Sequence, residues 1–292
     1  MQLGVEIADF SWVGEDGKAL ERLIDIAETA DSSGFSLIGV GDHLWQAPHA
    51  GGPERPQLEC FTTLAMIAAH TTRCRLGPVV AGVHFRSPAL LAKMVSTLDV
   101  LSGGRAVLGL GAGWYEEEAR GLGIPFPSLA RRFDMVEETL RICLRLWTEG
   151  DDQSPHEGEF HRLERPLSRP LPVSRSHPRI MIGGQGEQRT LPLVARYADA
   201  CNLYPSPDLP EKLAVLRRAC DEVGRDYEEI EKTCIMEFGV ERDGTGAQET
   251  IELLRAMAEA GITTAIGILP ADDPAGHVAR VAEYVLPEVA DL

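Results

Sequence analysis

Short apolar runs alternate along the chain with stretches whose hydrophobic residues recur every three or four positions. QLGVEIA (2–8), SLIGVGD (36–42), RLGPVVAG (75–82), RAVLGLGAG (105–113), RIMIGG (179–184), DACNLY (199–204), CIMEFGVE (234–241) and TTAIGIL (263–269) read as strands. Between them lie amphipathic segments. Residues 18–33 place Leu20, Leu23, Ile24, Ala27 and Ala30 on one stripe, with Gly34 as the stop. Residues 88–102 carry Leu90, Met94, Thr97 and Leu101, and residues 129–148 carry Phe133, Val136, Leu140, Leu144 and Trp147. Further helices are predicted over about 59–71, up to about 197, over 210–223 and 247–260, and up to about 287.

The strands are apolar on both faces, as buried parallel strands are, and each parallel step needs a crossover that the helices supply. Eight strand-plus-helix units predict a (β/α)8 TIM barrel, read as one domain over 1–292. A doubly wound sheet is the competing architecture. Two insertions interrupt the rhythm: a Gly/Pro-rich loop at 43–57 and an excursion at 150–178 with five prolines, expected over the barrel mouth or at an interface.

Charge and cysteines narrow the function. With 28 basic and 45 acidic residues the chain stands at −17, which argues against binding nucleic acid or an anionic membrane. No apolar run reaches the roughly 18 residues of a membrane span, and the first residues lack a signal-peptide pattern, so the cytoplasm is the expected compartment. The six cysteines are scattered without a C-x-x-C, and no H-E-x-x-H, P-loop or G-x-S-x-G occurs, so no metal site is expected.

In a barrel the chemistry sits at the C-terminal strand ends. Strand two ends in Asp42-His43, where an imidazole of near-neutral pKa could be a general acid or base and the carboxylate its orienter. Strand three ends in Val79-Val80-Ala81, which by composition reads first as a plain buried strand, although its small residues could admit a flat ligand, and His84 beyond them reads as a packed histidine. Strand four ends in G-x-G-x-G-W-Y (109–115); this is no dinucleotide fingerprint, but it suits a flexible loop presenting Trp114 and Tyr115 to a planar ligand, followed by an acidic run at 116–118 that reads as solvated, with room for one of its residues to face inward. Strand five ends in GGQGEQRT (183–190). Its glycines free backbone amides, Thr190 is the predicted N-cap ahead of Pro192, and Arg189 adds a cation, which together suit a phosphate.

GDHLW (41–45), the segment 86–127, HEGEFHRLERPL (156–167) and the segment 179–204 resemble the luciferase-like monooxygenase superfamily, in particular its oxidoreductases that use the deazaflavin coenzyme F420. The resemblance runs from about residue 3 to 240. It implies a cofactor ring across the barrel mouth, backed by a non-prolyl cis peptide at Val79-Val80 with Ala81 beside it. It implies Asp42 and His43 near the reactive carbon, and a phosphate grip from Gly183, Gly184, Gln185, Gly186, Arg189 and Thr190. Gly113, Trp114, Tyr115 and Glu118 match its fourth-strand loop. Where the sugar-phosphate dehydrogenases of that branch carry a glutamate directly after the glycine loop, this chain has Trp114, so a sugar phosphate is not the expected substrate. The expected function is hydride transfer between F420 and an organic substrate, by a homodimer. The alternatives are an FMN-dependent monooxygenase fed by a separate reductase, a cofactor-binding protein without catalysis, and a metal-dependent barrel hydrolase.

Overall fold

The structure, a computed structural model, describes residues 1–14, 16–149, 152–174 and 176–292. Along the chain run β1 (Gln2–Ile7), α1 (Ala19–Ser33), β2 (Leu37–Val40), α2 (Cys60–His70), β3 (Arg75–Pro78), β4 (Ala81–Gly82), α3 (Pro88–Ser102), β5 (Val107–Gly111), α4 (Glu116–Gly121) and α5 (Leu129–Thr148). Then follow β6 (His156–Glu157), β7 (Arg162–Leu163), β8 (Arg179–Gly183), α6 (Thr190–Tyr197), β9 (Ala200–Leu203), α7 (Leu209–Val223), β10 (Glu231–Glu237), α8 (Ala247–Ala260), β11 (Thr264–Ile268), α9 (Pro274–Tyr284) and α10 (Leu286–Val289).

The main sheet orders its strands β3-β2-β1-β11-β10-β9-β8-β5-β4, with every pairing parallel. A bridge between Leu76 and Ala106 joins the two ends. β3 and β4 are one barrel strand, broken by the cis Val79-Val80 peptide that the resemblance implied, so the architecture is the predicted α/β TIM-type barrel. A main apolar core lies between strands and helices. A second cluster of Leu37, Val79, Val107, Met181, Ala200, Ile235 and Ile266 fills the barrel interior, with Val80 and Ile268 against it.

At the N-terminal end the interior closes on an ionic plug. Glu231 receives Arg75 at 2.6 and 2.9 Å and Arg179 at 2.8 Å, with the Thr264 hydroxyl donating to the same carboxylate. Burial alone would raise the Glu231 carboxyl, but these donors win and hold it at about 2.

Three expectations shift. The seventh strand begins earlier, at Glu231, because that polar first residue belongs to the plug. On α3 the buried face is Leu91, Val95 and Leu98, while Leu90 and Leu101 are exposed; this helix has two apolar stripes, and periodicity does not choose between them. The excursion, whose residues 150, 151 and 175 lie outside those described, runs along the helical shell. Its β6–β7 hairpin is tied down by Glu138 of α5, which accepts from the amides of Glu159, Phe160 and His161. Further on, Asp99 of α3 accepts from the amides of Val173 and Ser174.

Candidate active site

His43 follows β2 at the C-terminal mouth. Its Nδ1 lies 3.0 Å from Glu118 of α4. Glu118 has no exposed surface and also accepts from the amides of Leu44 and Trp45. Burial works to raise its carboxyl, yet the bonds from His43 and the two amides hold it below the ordinary carboxylate range. A carboxylate only accepts, so Nδ1 carries the proton; Nε2 has no protein partner among the described residues. The imidazole is thus held in one orientation and one tautomer, with a free lone pair.

Trp114 and Tyr115 wall this centre. Their rings stack 5.1 Å apart, and Trp114 meets the His43 ring edge-on at 5.3 Å. Trp114 is 56% exposed, whereas the buried Tyr115 hydroxyl has no partner among the described residues. Arg132 fixes the loop beneath them: its guanidinium donates to the carbonyls of Ala112 and Pro127 and lies 3.8 Å over the Phe126 ring.

The floor is built by glycines that yield space to the third strand. A Cβ on Gly39 would stand 2.4 Å from Val79 Cγ2, and one on Gly183 would stand 2.6 Å from Val80 Cγ2. On Gly109 it would meet the Pro78 carbonyl oxygen at 2.0 Å. Gly113, at φ +78°, gives its space to the His84 ring. The glycines of strand four therefore serve close packing as well as loop freedom.

The family model for luciferase-like monooxygenases matches residues 1–283. The chain belongs to that family. An F420-dependent glucose-6-phosphate dehydrogenase of Nakamurella multipartita is 27% identical over 294 residues, covering 90% of this chain and 83% of its own. An F420-dependent secondary alcohol dehydrogenase solved with an F420-acetone adduct superposes with a TM-score of 0.81 at 18% identity, over 99% of this chain and 98% of its own. The FMN-bound oxygenating constituent of 3,6-diketocamphane monooxygenase from Pseudomonas putida gives a TM-score of 0.77 at 19% identity, over 99% of each chain. Such structural likenesses speak for the fold.

In this luciferase-like chain Asp42 is not the orienter of His43, as the sequence reading had it. It is buried and forms a two-pronged pair with Arg86, at 2.7 and 2.9 Å, and accepts from the Gly82 amide at 3.2 Å. Arg86 also reaches Glu59, the side-chain cap of α2, at 2.7 Å. Asp42 thus pins β4 to the end of β2. Its sequence neighbour His43 points elsewhere because successive residues leaving a strand face opposite ways. Glu118, which the resemblance matched to the fourth-strand loop, is the true partner: the loop folds into α4, which turns this one of its three glutamates inward, as the sequence reading allowed for one of them.

The strand-five turn is also corrected. The Gly184 amide is already spent on the Asn202 carbonyl at 3.0 Å, and Gly183 is a strand residue whose bare Cα accommodates Val80. The amides of Gln185 and Gly186 have no bonding partner among the described residues and remain available. Thr190 is the first residue of α6 rather than its cap, and Arg189 is paired with Asp134. Ala81 pairs with Leu110 and packs in the outer core, so it does not line the mouth.

One residue escaped the sequence reading. Strand alternation sends Leu3, Val5 and Ile7 to the outer core and turns Glu6 into the barrel, where it is 5% exposed. It has no ion pair among the described residues, and burial pushes its carboxyl up to about 8. At neutral pH it is an uncharged acid near the mouth. The only signal was a lone glutamate in an apolar run.

Among the described residues no cluster of His, Cys, Asp or Glu is suited to a metal ion, and no helix is long and apolar enough to cross a membrane.

Proposed function

We propose that the protein is an oxidoreductase that moves a hydride between the deazaflavin F420 and a small organic substrate, with His43 handling the proton. The His43–Glu118 pair carries this reading: a buried carboxylate fixes an imidazole at the barrel mouth and leaves its second nitrogen free. The residues present fit a planar cofactor with a phosphate. Val79 and Val80 offer an apolar floor, the unpartnered Tyr115 hydroxyl a donor at the wall, and the Gln185 and Gly186 amides a place for an anion ahead of α6. F420-dependent relatives support the deazaflavin, and an FMN-bound neighbour keeps the flavin as the alternative.

When bound, the cofactor supplies hydride chemistry, and the chain supplies orientation and proton handling. His43 Nε2 accepts the proton released as a substrate hydroxyl is oxidised, or returns it in the reverse direction. Glu118 stabilises the imidazolium so formed. Asp42 and Arg86 keep β4 in register, and the Trp114–Tyr115 wall excludes water from one side.

Titrating apo-protein with F420 and with FMN, each followed by fluorescence, is the first test. The deazaflavin is expected to bind about tenfold or more tightly (about 1.4 kcal/mol). Tighter FMN binding replaces this reading with the oxygenase. His43→Ala is expected to lower turnover about 10²–10⁴-fold with cofactor affinity kept. Unchanged turnover in that variant refutes the assigned role.

A further inference from the structure

Next to the mouth, between the loops after β10 and β11, lies a cavity of about 890 Å³. It adjoins the His43 centre through His49, which lines it and lies 6.0 Å, ring to ring, from Trp114. Val79, Val80, Tyr115, Gln185 and Gly186 do not line it.

Two of its lining residues, His277 and Arg280, stand one turn apart on α9 and so share a face. His277 is 5% exposed, and its Nε2 is buried without a hydrogen-bond partner among the described residues. Burial above all, with the nearby Arg280 charge, lowers its pKa and favours the neutral ring. In the neutral ring Nε2 accepts or donates according to the tautomer. Arg280 donates from one end nitrogen to Asp273 at 2.8 Å, while its Nε–H is buried and unpartnered. Buried polar groups are rarely left unmatched. Here an unpartnered imidazole nitrogen and an unpartnered guanidinium N–H stand one turn apart on one helix face of the cavity lining, and a hydroxyl group, which both donates and accepts, suits each of them.

The lining also carries the carboxylates of Asp9, Glu237, Glu241, Asp243 and Asp272 against two guanidiniums, those of Arg242 and Arg280. Arg242 is taken up by Asp272 at 3.0 Å. The cavity is net negative, which disfavours an anion.

We infer that this cavity is the organic-substrate subsite and that the His277–Arg280 pair selects a hydroxyl-bearing molecule, neutral or cationic, over an anionic one. The inference rests on the hydride-transfer reading and names its substrate class. It sets this chain apart from the relatives whose substrate is a sugar phosphate.

The test uses three probes of one shape: cyclohexanol, trans-4-aminocyclohexanol and cyclohexanecarboxylate. Binding to the apo-protein is read from amide chemical shifts at Gly239, Thr245 and Ala271. The two hydroxyl probes are expected to shift these signals, with the carboxylate about tenfold or more weaker. His277→Phe keeps the ring shape and removes the unpartnered nitrogen; Arg280→Lys keeps the charge facing Asp273 and removes Nε–H. Each is expected to weaken the hydroxyl probes about tenfold, while F420 affinity and melting temperature stay at the wild-type values. Equal or tighter carboxylate binding, or hydroxyl binding untouched in both variants, overturns the inference. If F420 binds but the alcohols do not, this inference fails and the hydride-transfer reading stands. If the alcohols bind and F420 does not, the failure lies with the hydride-transfer reading.

Discussion

Glu6 shows how one side chain can set the pH response of a site. Its folded pKa, about 8, lies above the ordinary carboxylate value. The stability of the neutral form is therefore complete below that ordinary value and is lost as pH rises through about 8. Glu6→Gln keeps the shape without the titration. Urea unfolding at pH 5, 7 and 9 should show the wild type weakening relative to the variant across that range; parallel curves would contradict the assignment. Glu118 is the opposite case, a carboxylate held charged by its donors. Glu118→Ala strands the Leu44 and Trp45 amides and frees His43, at a cost of about 2–4 kcal/mol, since each unmatched buried group costs about 1–3. Chemical denaturation measures the loss, and turnover should fall together with stability.

At the scale of elements, the third strand and its glycine neighbours act as one unit. Val80 occupies the space that side chains on Gly111 and Gly183 would fill. Gly183→Ala brings a Cβ within 2.6 Å of Val80 Cγ2, and overpacking of this kind costs about 1–3 kcal/mol. The displaced valine is part of the proposed cofactor floor. Isothermal titration should therefore show weaker F420 binding in Gly183→Ala, whereas Gly34→Ala in the α1–β2 loop at the opposite end of the barrel, whose Cβ meets nothing within 4 Å, should bind as the wild type does. If both variants bind alike, the floor lies elsewhere.

For the whole molecule, the two barrel ends divide the labour. The mouth carries buried groups without partners, including the Tyr115 hydroxyl and His277 Nε2, while at the opposite end the Glu231 carboxylate is met by Arg75, Arg179 and Thr264. The Glu231 pKa is depressed to about 2, so its contribution is present above the ordinary carboxylate value and drains away as pH falls toward 2. Glu231→Ala leaves two guanidiniums facing each other. Breaking a buried pair costs about 3–5 kcal/mol, and about 2–3 is expected here because Arg75 and Arg179 stay partly hydrated. Acid unfolding followed by circular dichroism should show the variant less stable at pH 7 and the gap closing near pH 2. F420 affinity at pH 7 should be unaffected.

Much of this architecture was legible in the residue order. Parallel strands buried on both faces and helices of fixed period leave few topologies, so the eightfold alternation specified the barrel, and the strand-end rule located the mouth. What eluded linear reading was every choice of partner. Asp42 precedes His43, yet faces Arg86; Glu118 comes 75 residues later and supports the imidazole. Glu6 and the His277–Arg280 pair gave no motif at all. Periodicity is a local property of the chain, set by backbone geometry over a few residues. The pairing of charges, the filling of glycine hollows and the pKa of a buried acid depend on groups distant in sequence, brought into a low-dielectric interior only when the sheet closes.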